Sequence, residues 1–192
     1  CVGIIIGVVT MTGFGFGFVS IMGNIARVNM TLFLLVLMLT CIVFGMGLPS
    51  LPAYILVATF GAPALVQAGI PLISAHLFVM YFAITSGLTP PVCLIAYAGA
   101  AIADANPMKT GFTAFKLAIA AYIVPYIFIF EPALLLMGDW LTVAQAVVTA
   151  VTGVVCLASA MQGWLLIEAN RAERLLMFAA GLSLLYLSLI HI

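Results

Sequence analysis

Charge is what this chain has least of. Its 192 residues include five Lys and Arg and five Asp and Glu, whereas about a quarter of the residues of a soluble domain are charged. Five basic side chains scattered along the whole length form no basic patch, which excludes nucleic acid as a partner. Aspartate occurs only at Asp104 and Asp139, so neither the Asp-rich metal motif of a prenyl transferase nor a paired-Asp protease constellation is available. Cysteine is scarce and dispersed. Cys1, Cys41, Cys93 and Cys156 have no C-x-x-C spacing, supporting neither a disulfide framework nor a zinc site. They read as small buried hydrophobes. Also missing are the alternating segments of about ten residues that mark a membrane β-barrel.

What the chain has is apolar length. Hydrophobic residues make up 67% of it, in runs of about 20 residues, enough to cross a bilayer as a helix. In lipid, helices and closed barrels alone pair every backbone amide and carbonyl, so the fold class is an all-α polytopic membrane protein. The lipid bilayer is its first partner.

The run Val2–Met22 carries Gly3, Gly7, Gly13, Gly15 and Gly17, which permit close helix contact or a break, and the polar stretch Gly23–Asn29 is read as closing it. A second run, Met30–Phe44, stops at Gly45-Met46-Gly47-Leu48-Pro49-Ser50-Leu51-Pro52. Two glycines and two prolines in that stretch cannot continue a regular helix, because proline lacks the amide hydrogen and clashes with the preceding turn. Apolar sequence resumes over Ala53–Val66. Read as one crossing, Met30–Val66 would be about 55 Å long, nearly twice the hydrocarbon thickness of about 30 Å. The charge-free turn therefore predicts a re-entrant hairpin, with two full crossings as the rival reading.

A third run, Leu72–Thr85, breaks at Ser86-Gly87-Leu88-Thr89-Pro90-Pro91, resumes over Val92–Ala103 and ends at Asp104-Ala105-Asn106-Pro107. Each half is too short to span. Together they predict one crossing with an unwound centre, which must line a cavity or be covered by protein. Beyond it, Phe112–Met137 reads as a helix kinked at Pro125 and Pro132, then Trp140–Met161 and Leu175–Leu187 as two more. Lys109, Lys116, Arg171 and Arg174 fall on one side and Arg27 on the other, and the basic excess predicts that side to be cytoplasmic.

Two discontinuous segments in corresponding positions point to the binding site of a secondary transporter. Carbonyls exposed at such breaks can replace the water of a sodium ion. The half-helix N-termini expected near Ala53 and Val92 suit an anionic group.

The stretches Gly45–Val57, Leu88-Thr89-Pro90-Pro91-Val92 and Asp104–Phe112 resemble the large membrane subunit of TRAP transporters, most closely the fused permeases of the TAXI branch. The similarity covers essentially Val2–Tyr186. It implies the second inverted repeat of an elevator-type, sodium-coupled importer of organic anions in the cell inner membrane, supplied by a periplasmic substrate-binding protein. It implies a sodium site at Gly45, Gly47, Ser86, Thr89 and Val92, mostly through backbone carbonyls, with the Thr89 hydroxyl added. Ser86 stands where some relatives have glycine. The other residues of the two breaks, Pro49, Ser50, Gly87, Pro90 and Pro91, are expected at the substrate cavity. No cofactor is implied beyond the coupling sodium, and no enzymatic activity; a channel or an intramembrane enzyme is the alternative class.

The expected organisation is a repeat of the permease core over 1–137 (hairpin about 30–66, broken helix about 72–103, kinked helix about 112–137) and additional transmembrane helices over 138–186. The start at Cys1, without Met and within an apolar run, reads as a truncated fragment. The codons of 187–192, read back as CTG-TCT-CTT-ATA-CAC-ATC, resemble a transposon mosaic-end adapter and are taken as a scar, so His191 receives no role. Of the other polar groups, His76 is expected near a helix start, Glu131 as a snorkelling or loop-facing carboxylate, and Asp104 or Asn106 as a helix cap. Tyr54, Tyr81 and Tyr97 are expected to pack.

Overall fold

The computed structural model describes residues 2–136, 138–165 and 168–190. The expected boundary residue Met137 and the last two residues of the expected scar, His191 and Ile192, lie outside them. The described residues are helical almost throughout and fall into two compact units, Cys1–Phe112 and Thr113–Ile192.

The first unit opens with α1 (Val2–Met11) and α2 (Phe14–Val28), which meet at an angle of 68°. The break falls at Thr12-Gly13, where Gly13 takes a φ of 69° that a side chain would disfavour. α2 runs through the polar stretch that was expected to close this segment. Arg27 sits in its last turn, where a cation favours the helix dipole. A single extended residue, Asn29, separates α2 from α3 (Met30–Gly45) and caps α3 by accepting the Leu32 amide at 3.0 Å.

After α3 the chain turns through Met46–Pro49, with Gly47 at φ 78°, into α4 (Ser50–Gln67). The helix resumes at Ser50 rather than Ala53. Pro52 falls in its first turn, where the missing amide hydrogen has no helical partner to lose. Beyond α4, Gly69 (φ 89°) turns the chain, and the Ile70 amide reaches back to the Leu65 carbonyl at 3.1 Å.

α5 (Leu72–Thr85) passes into a 3-10 turn, Ser86–Leu88, and α6 spans Leu94–Ile102. The second half-helix starts later than the sequence suggests. Cys93 has a left-handed φ of 33°, and its amide and thiol bond the Thr89 and Leu88 carbonyls at 3.2 and 3.3 Å, closing a loop ahead of Leu94. Asn106 then caps α7 (Pro107–Leu117) through the Lys109 amide at 3.1 Å, with Pro107 at the first helical position. Asp104 instead ends α6 with a φ of 48°.

The core of this unit lies among α3, α4 and α5, where Phe33, Leu37, Phe60, Phe78 and Phe82 are fully buried. Phe14, Phe18 and Phe44 gather round Phe60, with ring centroids 4.9–5.9 Å away. Elsewhere large apolar side chains face outward, as on lipid-exposed helices: Met11 and Ile102 are each 90% exposed.

The second unit contains α8 (Ile119–Phe130), a 3-10 turn at Pro132–Leu135, α9 (Trp140–Gln162) and α10 (Arg171–Ile190). α8 continues through Pro125, one of the two expected kinks, while the helix is interrupted at Ala118 and ends at Phe130, ahead of the 3-10 turn that Pro132, the other expected kink, begins. Glu131 does not snorkel. It is 2% exposed, with the Ala133 amide bonded to its carboxylate. α10 begins at Arg171 rather than Leu175, because the Glu173 carboxylate accepts the Asn170 amide at 2.8 Å in a capping-box arrangement.

Small residues let α9 and α10 approach: a Cβ on Gly181 would stand 3.0 Å from the Gly153 carbonyl oxygen. Arg174 reaches across from α10 and donates to the Ala160 and Met161 carbonyls at 2.9 and 3.2 Å. It thereby satisfies carbonyls that the end of α9 leaves unpaired.

Among the described residues, Ser50–Gln67, Pro107–Phe130 and Trp140–Gln162 are long and apolar enough to cross a membrane. The bent pair α1–α2 makes a fourth span if counted as one.

Candidate functional site

Both sequence breaks lie in the first unit, and the fold brings them together. Gly45, the last residue of α3, packs on Ser86, the first residue after α5. A Cβ on Gly45 would stand 2.5 Å from the Ser86 Oγ and 3.3 Å from the Ala83 carbonyl oxygen, so only glycine admits this approach. Beside the contact is a cavity of about 250 Å³. The turn after α3 lines it with Gly47, Leu48, Pro49 and Ser50. The end of α5 and the start of α6 contribute Ala83, Ile84, Gly87, Leu94 and Ile95.

Of the ten residues expected at the site, Gly47, Pro49, Ser50 and Gly87 line this cavity, and Gly45 and Ser86 touch behind its wall. Thr89 is joined to the same junction: its amide donates to the Ser86 carbonyl at 3.2 Å and its hydroxyl to the Thr85 carbonyl at 2.8 Å. Pro90, Pro91 and Val92 belong to the loop ahead of α6 and do not line the cavity. The Pro90–Pro91 peptide is cis. Both prolines precede the helix start they were expected to occupy.

The polar groups here are backbone and hydroxyl. Ser86 Oγ donates to the Ala83 carbonyl at 2.6 Å, which leaves its oxygen lone pairs for another partner. Carbonyls that already accept one hydrogen bond, such as those of Ser86 and Gly45, keep a second lone pair. Pro49 begins α4 without a side-chain cap, so the amides of that first turn, beside Ser50 on the cavity wall, form the positive end of the helix dipole. Among the described residues, no group of three or more His, Cys, Asp and Glu side chains gathers.

Two features of this unit escaped the sequence reading. Ala83, Ile84, Leu94 and Ile95 complete the cavity, and nothing distinguishes them from other apolar residues in the chain. Tyr54 of α4 and His76 of α5 are hydrogen bonded, Oη to Nδ1, at 2.8 Å. Tyr97 does not pack passively either: its hydroxyl donates to the Pro91 carbonyl at 2.6 Å and holds the loop before α6.

Several apolar helices, three of them of membrane-spanning length among the described residues, define a multi-pass helical membrane protein. The family model of the tripartite ATP-independent periplasmic transporters, DctM component, matches residues 1–143. The chain belongs to that family, the large membrane component of TRAP transporters, and is a transport permease rather than an enzyme. Family membership implies association with a periplasmic binding protein and a small membrane component. No curated protein and no solved structure matches the chain.

Proposed function

We propose that the chain is part of the permease of a sodium-coupled, binding-protein-dependent importer of organic anions, residing in the cell inner membrane. The observation that carries this reading is the meeting of two charge-free breaks, Gly45 against Ser86, beside a cavity lined by Gly47, Pro49, Ser50 and Gly87. On this reading α3 and α4 are the arms of a re-entrant hairpin and α5 and α6 the halves of one crossing, the second inverted repeat of an elevator. Sodium is held by carbonyls of Gly45, Gly47, Ser86, Thr89 and Val92 and by the Thr89 hydroxyl. The substrate carboxylate meets the uncapped first turn of α4, with Pro49, Ser50 and Gly87 around it.

The match to the family ends at residue 143, and α9 and α10 continue beyond it. Those two helices support the fused, TAXI-like arrangement.

The test is uptake by proteoliposomes holding the full-length permease, with its binding protein outside. Accumulation of organic anion should require both an inward sodium gradient and the binding protein. Uptake at the same rate with potassium replacing sodium would overturn the coupling, and uptake without the binding protein would overturn the dependence on it.

A further inference from the structure

The second unit carries a cleft that the transport reading does not use. It is a shallow groove of about 330 Å³, open to the outside, that lies between the end of α9 and the first two turns of α10 and is lined by Ala160, Met161, Arg171, Arg174, Leu175 and Phe178. Its polarity is graded. The two arginines stand at the start of α10, beside the end of α9 that Trp164 follows, a place where indole rings mark the membrane interface. Phe178 lies seven positions beyond Arg171 along α10, about 10 Å further at the helical rise.

Arg174 spends two of its N–H groups on the Ala160 and Met161 carbonyls, which fixes the guanidinium and leaves its other donors available. No side-chain hydrogen bond or ion pair holds the Arg171 guanidinium among the described residues. The nearest carboxylates in sequence, Glu168 and Glu173, do not line the cleft, and Glu173 accepts the Asn170 amide.

We propose that this cleft binds an anionic phospholipid, its headgroup phosphate between Arg171 and Arg174 and an acyl chain lying over Leu175 and Phe178. Charge complementarity selects the lipid class. A basic pocket between membrane helices attracts an anionic headgroup, whereas a zwitterionic one brings an ammonium group up against the guanidinium groups. The apolar half of the cleft selects a lipid over a free phosphate ion, which would use only the arginine end.

The experiment is native mass spectrometry of the delipidated full-length permease, titrated with dioleoyl phosphatidylglycerol or dioleoyl phosphatidylcholine. The wild type should bind phosphatidylglycerol the more tightly. Arg171→Ala should weaken that binding about fivefold, the effect of one basic residue at a membrane surface, and leave phosphatidylcholine binding unchanged. Arg171→Lys, which keeps the charge, should retain most of the affinity and guards against misreading a folding defect. Equal binding of the two lipids, undiminished phosphatidylglycerol binding by Arg171→Ala, or displacement of the lipid by millimolar inorganic phosphate would each overturn the assignment.

Discussion

Gly45 and Ser86 touch so closely that the Ser86 Oγ occupies the space a Gly45 side chain would need. Gly45→Ala should therefore force the end of α3 away from the junction of α5 and its 3-10 turn. Overpacking of this kind costs about 1–3 kcal/mol, read as a lower melting temperature of the purified permease and a loss of uptake. Ser86→Gly in the same chain removes the obstructing hydroxyl and should restore most of both. Equal stability of wild type and Gly45→Ala would contradict the contact.

Tyr54 and His76 tie α4 to α5. Tyr54→Phe should cost about 1 kcal/mol, the net value of one hydrogen bond. In a double-mutant cycle with His76→Leu the two losses should not add. Strict additivity would mean that the pair does not interact.

The Arg174 guanidinium closes the end of α9. Arg174→Ala should destabilise the second unit by roughly 1.5–3 kcal/mol, the range for hydrogen bonds to a charged group. Arg174→Lys should recover only part, because an ammonium lacks the planar fork that reaches two carbonyls. Thermal unfolding of the purified variants measures the difference.

Gly181 sets the spacing of α9 and α10. Any side chain there meets the Leu157 Cγ at 2.8 Å and the Gly153 carbonyl oxygen at 3.0 Å. Leu157 can shift; a carbonyl within α9 cannot move without the helix. Gly181→Val should lower stability by about 1–3 kcal/mol, whereas Gly99→Val, with nothing within 4 Å of its Cβ position, should cost about 1 kcal/mol or less. Similar losses at both positions would contradict close packing at Gly181.

Much of this was legible because it is local chemistry. Gly45, Gly47 and Pro49 punctuate the chain wherever it folds, and Asn106 before Pro107 announces a helix start. Helix ends were less legible, for reasons visible in the structure. Pro52 is tolerated inside a first turn, Cys93 delays α6 by hydrogen bonding backwards, and the capping box of Asn170 and Glu173 starts α10 ahead of Leu175. The contacts across helices were not legible at all. No local signal joins Tyr54 to His76, buries Glu131 or selects Ile84 and Ile95 from a chain that is mostly apolar, because those outcomes depend on how helices pack. The scarcity of charge worked in favour of the reading, since it left the two breaks as the informative features.

The central claim is that the two breaks form one sodium site, and the sodium dependence of uptake tests it most directly. Rates would be measured in proteoliposomes over a range of external sodium at saturating, substrate-loaded binding protein, for the wild type and Thr89→Val, which keeps shape but removes the hydroxyl oxygen. The account predicts that half-saturation by sodium rises roughly tenfold in the variant, the worth of about one lost polar contact, while the fold and the response to binding-protein concentration are unchanged. A sodium curve superimposable on that of the wild type would contradict it.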